Sequence, residues 1–279
     1  MELFILPFDH RSSLIKSSGE KPTEKQKKFL REAKKIIYEA FLASRKKAGG
    51  KGAILVDEEY GKEILLNAKK RGIITLYTLE KSGCKEFTIQ YKNWLQRIKK
   101  INPDYCKALV RFNPTANNFK QLKALKKVSS ELETHGKKFL LEMVVQPVKK
   151  IKNYEEKIRP ALMIHAIKQI QQAGIKPTIW KLEGVSSLKQ CKTLVKLVSN
   201  VPCEGIIILG RGETKAKTKQ WVKIGAKTKG VIGFAVGRTV FANPLKKLNE
   251  GKINRKKAIK EISRNYEEFI SVWNKNKKR

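Results

Sequence analysis

Eight short apolar runs, each followed by a longer amphipathic stretch rich in lysine, constrain what this chain can fold into. The runs are Leu3–Phe8, Ala53–Val56, Ile73–Leu79, Cys106–Phe112, Phe139–Val145, Thr178–Leu182, Gly205–Leu209 and Val231–Val236. Continuous apolar runs of this length, bounded by turn residues, read as strands buried on both faces. Helical patterning falls between them at Glu24–Lys47, Glu58–Arg71, Tyr91–Lys100, Ala116–Thr134, Tyr154–Ala173, Ser186–Ser199 and Thr214–Gly225. A short helical piece near Pro244–Leu248 precedes a closing helix, Arg255–Asn274, whose Ile259, Ile262, Tyr266, Phe269, Ile270 and Trp273 recur at helical spacing. Eight strand–helix repeats predict an α/β fold with a parallel sheet, closed into a (β/α)8 TIM barrel. An open doubly wound sheet is the alternative. It usually carries a glycine-rich loop after strand one, where this chain has Asp9-His10-Arg11. No linker, repeat or low-complexity tract interrupts the pattern. Residues 1–279 therefore read as one domain with a frayed basic tail from about Lys275.

Three charged residues intrude into the apolar runs. Lys181 lies in Ile179-Trp180-Lys181-Leu182, Lys107 in Tyr105-Cys106-Lys107-Ala108, and Glu142 in Leu140-Leu141-Glu142-Met143. An unpaired charge inside such a strand costs several kcal/mol, so each must be paired, neutral or chemically employed. In barrels of this kind the chemistry sits at the C-terminal strand ends. Those ends are polar here: Asp9-His10-Arg11, Asp57-Glu58-Glu59, Glu80-Lys81-Ser82-Gly83, Arg111 with Asn113-Pro114, and Glu183. Strand parity puts Lys181 and Glu183 on one face, and Lys107, Leu109 and Arg111 on one face. A strand-end acid also has an ordinary use as a helix cap, and Asp57 and Glu80 fit that use equally well.

A buried amine beside a second cation becomes a nucleophile toward carbonyls. Lys181 can form a Schiff base with a ketone, with Lys107 as the neighbouring cation. Glu142 is suited to shuttling protons, and Asp9 to taking the hydroxyl proton whose loss starts carbon–carbon cleavage. This covalent chemistry needs no cofactor and no metal, in keeping with a sequence that has no His/Asp/Cys metal-ligand spacing. His10, Arg11, Asp57, Glu80, Arg111 and Glu183 are the candidate substrate-binding residues. Gly210-Arg211-Gly212 and Gly237-Arg238 place backbone N–H groups and guanidinium groups where barrels commonly hold phosphate.

The net charge of +37 arises from 62 basic residues, 50 of them lysines scattered along the helical stretches. It predicts nonspecific attraction to polyanions, including nucleic acid, and a field that draws in phosphorylated small substrates. No apolar stretch approaches the roughly 20 residues of a membrane span. Cys84, Cys106, Cys191 and Cys203 show no paired spacing and read as reduced thiols in a cytoplasmic protein.

Taken together, Leu6-Pro7-Phe8-Asp9-His10-Arg11, Val56-Asp57-Glu58-Glu59-Tyr60-Gly61, Leu79-Glu80-Lys81-Ser82-Gly83, Trp180-Lys181-Leu182-Glu183 and Gly233-Phe234-Ala235-Val236-Gly237-Arg238-Thr239 resemble a class I aldolase-type barrel family. That family occurs behind a sugar kinase in inositol-catabolism proteins and is similar to tagatose-bisphosphate and sulfo-sugar aldolases. The resemblance runs from about Leu3 to Trp273. It implies Lys181 as the Schiff-base lysine, Lys107 as auxiliary lysine, Glu142 as proton shuttle, Asp9 as the strand-one acid, and Gly237 and Arg238 as phosphate ligands. It also implies a lyase of carbohydrate metabolism that cleaves a phosphorylated keto-sugar or keto-sugar acid to dihydroxyacetone phosphate and an aldehyde. In the inositol pathway that substrate is 5-dehydro-2-deoxy-6-phosphogluconate. The chain departs from the family at Asn113-Pro114-Thr115 and Arg211-Gly212-Glu213, both at the mouth, where substrate identity is decided. Barrels of this type often form homo-oligomers, and the sequence carries no interface signature. The competing reading is a noncatalytic polyanion-binding or structural protein on the same barrel, which salt-sensitive nucleic-acid binding would reveal.

Overall fold

The apolar runs become eight parallel strands, each paired with its neighbours in sequence, and the last returns to the first. The computed structural model describes residues 2–15, 22–146 and 153–277. The strands are β1 Leu3–Pro7, β2 Gly52–Val56, β3 Ile74–Thr78, β4 Tyr105–Phe112, β5 Lys138–Val145, β6 Ile179–Glu183, β7 Gly205–Leu209 and β8 Val231–Ala235. The helices among the described residues are α1 Ser12–Ile15, α2 Glu24–Ala48, α3 Glu58–Lys70, α4 Trp94–Ile101, α5 Phe119–Thr134, α6 Arg159–Gln172, α7 Leu188–Val198, α8 Lys215–Ala226, α9 Arg238–Asn249 and α10 Arg255–Asn276. This is the expected closed (β/α)8 barrel.

Alternation along each strand divides the core in two. Leu3, Ile5, Ala53, Leu55, Leu76, Tyr105, Leu140, Ile179, Ile207 and Ala235 fill the barrel interior. Their sequence neighbours, such as Phe4, Ile54, Tyr77, Leu141, Trp180 and Phe234, pack outward against the helices. Each buried aliphatic side chain contributes about 1.5–3 kcal/mol, and a one-residue slip would exchange the two sets, so register is strongly specified. The barrel closes where β8 meets β1. There Gly233 lies so near β1 that an added Cβ would sit 1.8 Å from the Leu3 carbonyl oxygen.

The same inward parity continues above the apolar layer. Asp9 follows Leu3, Ile5 and Pro7; Glu80 follows Leu76 and Thr78; Lys107 follows Tyr105; Glu142 follows Leu140; and Lys181 follows Ile179. Register sets their heights: Thr78 pairs with Lys107, and Glu142 with Lys181. The charged intrusions therefore form one polar layer on top of the apolar one.

Several boundaries differ from expectation for physical reasons. The piece near Pro244–Leu248 is part of a full helix, α9, with Pro244 inside it. Proline has no N–H for the Val240 carbonyl one turn earlier. The Asn265 side chain of α10 donates to that carbonyl instead, at 2.9 Å. The helix expected from Tyr154 opens as a π-helical turn over Tyr154–Ile158, and α6 proper begins at Arg159, just before Pro160. The helix expected from Ala116 begins at Phe119, because Asn118 instead ties the loop together, donating to the carbonyls of Asn113 and Ala116. The last helix runs to Asn276, past the expected start of the frayed tail, and residues 278–279 lie outside the described residues. No described helix is long and apolar enough to cross a membrane.

Candidate active site

Lys107 is the hub of the polar layer. It rises from β4 with 2% of its surface exposed, and its Nζ meets three carboxylates. Asp9 Oδ2 from the end of β1 is 2.9 Å away, Glu80 Oε1 from beyond β3 is 2.5 Å away, and Glu142 Oε2 from β5 is 2.9 Å away. Burial disfavours the ammonium, but Asp9, Glu142 and Glu80 outweigh it and hold Lys107 well above its ordinary range. The carboxylates shift in response. Burial alone would raise Glu142, yet Lys107 and Lys181 bring it down to about 2. Burial would likewise raise Asp9, but Lys107, His10 and Lys181 hold it far below the usual carboxylate range. Asp9 also accepts a hydrogen bond from Thr78 Oγ1 at 3.2 Å.

Lys181 stands one strand over from Glu142. Its Nζ is 2.9 Å from the same Glu142 Oε2 that serves Lys107. Lys181, Lys107, Glu142, Asp9 and Glu80 all line one cavity of about 320 Å³ at the C-terminal mouth of the barrel.

His10, Arg11 and Arg111 line the same cavity. Burial, reinforced by Arg238, Lys181 and Lys34 against the opposing charge of Asp9, brings the His10 ring down to about 4 and leaves it neutral at pH 7. Arg11 donates from Nη2 to the Glu80 carbonyl oxygen at 2.6 Å, which fixes the loop that carries Glu80. Arg111 donates to the Cys84 carbonyl oxygen at 3.3 Å.

The ends of β7 and β8 form the opposite wall. Arg211 and Gly212 both have left-handed backbone angles, φ 55° and 80°. Glycine suits the second position because its φ of 80° is one that other side chains rarely adopt. Arg238 lies along this turn and donates to the Arg211 carbonyl oxygen at 2.8 Å. It opens α9, where Gly237 provides no side-chain cap and its carbonyl takes the Val240 and Phe241 N–H groups, which leaves those of Arg238 and Thr239. An exposed guanidinium beside a helix N-terminus without a side-chain cap suits a phosphate. The Gly210 N–H is already donated to the Ala235 carbonyl oxygen. The Arg211 guanidinium turns away to Glu155, at 2.8 Å, and Glu183, at 3.1 Å. The wall's free anion-binding groups are therefore Arg238 and backbone N–H groups.

A family model described as "Uncharacterized protein conserved in bacteria (DUF2090)" matches residues 1–277. The chain belongs to this family. No curated protein matches it. Among solved structures, the DUF2090 barrel is similar to fructose-bisphosphate aldolase from Plasmodium falciparum, solved with TRAP and a small-molecule inhibitor. The TM-score is 0.71 at 13% identity, covering 99% of this chain and 91% of that one. It is also similar to a Schiff base-forming fructose-1,6-bisphosphate aldolase, with TM-score 0.60 and 13% identity over 95% of this chain and 93% of that one. Cgl0159 from Corynebacterium glutamicum gives TM-score 0.60 and 18% identity over 95% of this chain and 85% of that one. At such identities the likeness establishes a shared aldolase-like barrel fold.

Two of the candidate substrate-binding residues lie elsewhere. Asp57 is buried beneath the mouth, where it caps α3 by accepting the Tyr60 N–H at 2.9 Å and pairs with Lys34 at 2.6 Å. Glu183 has the inward parity of Lys181, but its carboxylate accepts the Val145 N–H at 3.0 Å and faces Arg211. Burial pushes Glu183 upward despite Arg159 and Arg211 nearby, and it does not line the cavity. Glu80 is no helix cap; it is a partner of Lys107. Lys107 is not a bare cation beside Lys181, because Glu142 lies between them.

Sequence reasoning missed Lys34, Thr78, Arg159 and Glu155, as well as Lys81 and Ser82 as cavity-lining groups. Arg159 is fully buried and donates to the Gly184 carbonyl oxygen at 2.7 Å, which braces the end of β6. Its position at the start of a helix gave no local sign of burial. Lys34 was legible only as a lysine on the apolar stripe of α2, between Ala33 and Ile37.

Proposed function

We propose that this protein is a lysine-dependent lyase, a class I aldolase acting on a phosphorylated keto-sugar or keto-sugar acid through a Schiff base on Lys181. The observation that carries this reading is the single Glu142 oxygen shared by two buried lysine ammonium groups at the floor of the mouth. The fold shared with a Schiff base-forming aldolase supports it.

In this mechanism Glu142 takes a proton from Lys181 Nζ, and the freed amine attacks the substrate ketone. Glu142 returns the proton to the carbinolamine oxygen, and water leaves as the iminium forms. Asp9 then takes the proton of the hydroxyl on the far carbon of the bond to be cut, the carbon that becomes the aldehyde. The electron pair of that carbon–carbon bond moves onto the iminium, giving an enamine and a free aldehyde. Protonation of the enamine carbon and addition of water release the ketone fragment and restore Lys181. Lys107 holds Asp9, Glu80 and Glu142 in place and offsets their charge. Arg238 and the α9 N-terminus bind the phosphate of the ketone half, so dihydroxyacetone phosphate is the fragment released. His10, Arg11 and Arg111 face the aldehyde half. Among keto-sugar acids, 5-dehydro-2-deoxy-6-phosphogluconate is the first substrate to try, on the strength of the strand-end motifs. The four cysteines are free thiols, which suits a cytoplasmic setting.

Borohydride reduction in the presence of dihydroxyacetone phosphate tests the reading. It should leave a covalent adduct on the Lys181 peptide that is absent in Lys181→Met. A wild-type protein that stays unmodified would sink the mechanism.

A further inference from the structure

Near the mouth lies a third buried lysine, one that the chemistry does not use. Lys34 of α2 has no exposed surface, and its ammonium has three partners, two backbone carbonyls that accept its hydrogen bonds and one carboxylate in an ion pair. These are the Phe8 carbonyl oxygen at 2.5 Å, the His10 carbonyl oxygen at 2.9 Å and Asp57 Oδ1 at 2.6 Å. The two carbonyls belong to the residues on either side of Asp9. Asp57 is in turn fixed at the end of β2, because its other oxygen caps α3 at Tyr60. One ammonium thus ties the backbone on both sides of Asp9 to the neighbouring strand end and to a long helix.

Other ties on this segment act through side chains: Lys107 and Thr78 donate to the Asp9 carboxylate, and Arg11 donates to the Glu80 carbonyl oxygen. β1 ends at Pro7, and the Phe8 N–H bonds to the Leu55 carbonyl oxygen, after which the chain leaves the sheet. Asp9 must nonetheless reach Lys107 at 2.9 Å from outside regular structure. A carboxylate on an irregular segment keeps such a distance only if its main chain is anchored. We propose that Lys34 and Asp57 form a buried positioning pair that holds the Asp9 carboxylate against Lys107. As a statement about catalysis this rests on the aldolase reading; as a statement about the placement of Asp9 it does not.

The test separates the two. Lys34→Met alone strands a buried Asp57 carboxylate and endangers the fold. Lys34→Met/Asp57→Asn removes both charges and keeps an acceptor for the Tyr60 N–H. The charged groups that face Asp9 are Lys107 from β4, Lys181 from β6 and the adjacent His10, with Glu80 and Glu142 sharing Lys107. The double variant leaves all of them in place, so a changed Asp9 reports geometry. In 13C-labelled wild type the Asp9 carboxyl stays ionised well below pH 4; in the folded double variant it should titrate near its ordinary value of about 4. Turnover should fall about 10–100-fold in kcat, with KM shifted by less than about threefold. Unchanged Asp9 titration and unchanged kcat in the folded double variant would overturn the proposal. A double variant that cannot fold also overturns it, because the pair is then a pillar of the barrel. Failure of the aldolase reading shows separately, as a wild type with no borohydride adduct, and the Asp9 titration then decides alone.

Discussion

Glu142 Oε2 lies 2.9 Å from Lys107 Nζ and 2.9 Å from Lys181 Nζ. The two lysines depend on it unequally. Lys107 has two further carboxylates, Asp9 and Glu80, whereas Glu142 is the one carboxylate paired with Lys181 among the described residues. In the proposed mechanism Glu142 therefore couples proton transfer at Lys181 to the charge held by Lys107.

Replacing Glu142 with Gln keeps the shape and removes the proton acceptor. We expect kcat to fall by about 10²–10⁴-fold, the usual range for a lost general acid–base group. Time-resolved mass spectrometry should show the Lys181 adduct forming slowly but still forming, because the amine remains. An adduct forming at the wild-type rate would remove Glu142 from the mechanism.

The unequal partnership predicts unequal stability effects. Lys107→Met leaves three buried carboxylates around a neutral side chain and should cost about 3–5 kcal/mol. Lys181→Met leaves Glu142 still paired with Lys107 and should cost about 1 kcal/mol. Urea denaturation of both variants measures the difference. Equal losses would mean that Lys107 is not the hub.

Stability should decline steadily from about pH 6.5 toward pH 2. Glu142 is lowered from 4.5 to about 2 and Asp9 is lowered as well, so the stability they contribute is present above their ordinary values and lost as acid protonates them. His10 is lowered from 6.5 to about 4, so between those values the unfolded chain binds the extra proton and folding weakens in the same direction. The raised Lys107 acts at the other end, where its contribution fades as pH climbs above 10.5. Denaturation midpoints at pH 7, 5 and 3 would show the acid limb. In a folded Lys107→Met variant, the part of that limb due to Asp9 and Glu142 should flatten.

Arg238 is exposed, and among the described residues its side chain is braced by the Arg211 carbonyl, so Arg238→Ala should fold normally. Losing a charge-assisted hydrogen bond of about 1.5–3 kcal/mol should raise KM for a phosphorylated ketose by about 10–100-fold while kcat holds. Steady-state kinetics alongside competition by inorganic phosphate checks this. Unchanged KM would place the phosphate elsewhere in the mouth.

The barrel was legible in the chain because a strand buried on both faces needs an apolar run, and eight such runs with helical spacers admit few topologies. Lys107, Glu142 and Lys181 were legible for the converse reason, since a charge inside such a run has no cheap explanation. Of the two uses open to Asp57, the helix cap holds and substrate binding does not, because a strand-end acid looks the same whether it faces substrate, caps a helix or pairs with a buried lysine. Glu183 was misread because parity gives the side of a strand but not the direction a carboxylate takes at its end.

What no local pattern contains is who meets whom. Lys107 finds Asp9 across 98 positions of chain and Glu80 across 27, and Lys34 finds the carbonyls beside Asp9 across about two dozen. Those meetings follow from barrel closure and strand register, which bring distant side chains to one height. Lys34 shows in the sequence as a lysine on the apolar stripe of α2, but its partners appear only once the helix is docked. The runs of apolar residues set the barrel and its charged layer; only the closed sheet decided that one lysine would gather three carboxylates and that another would anchor the first strand.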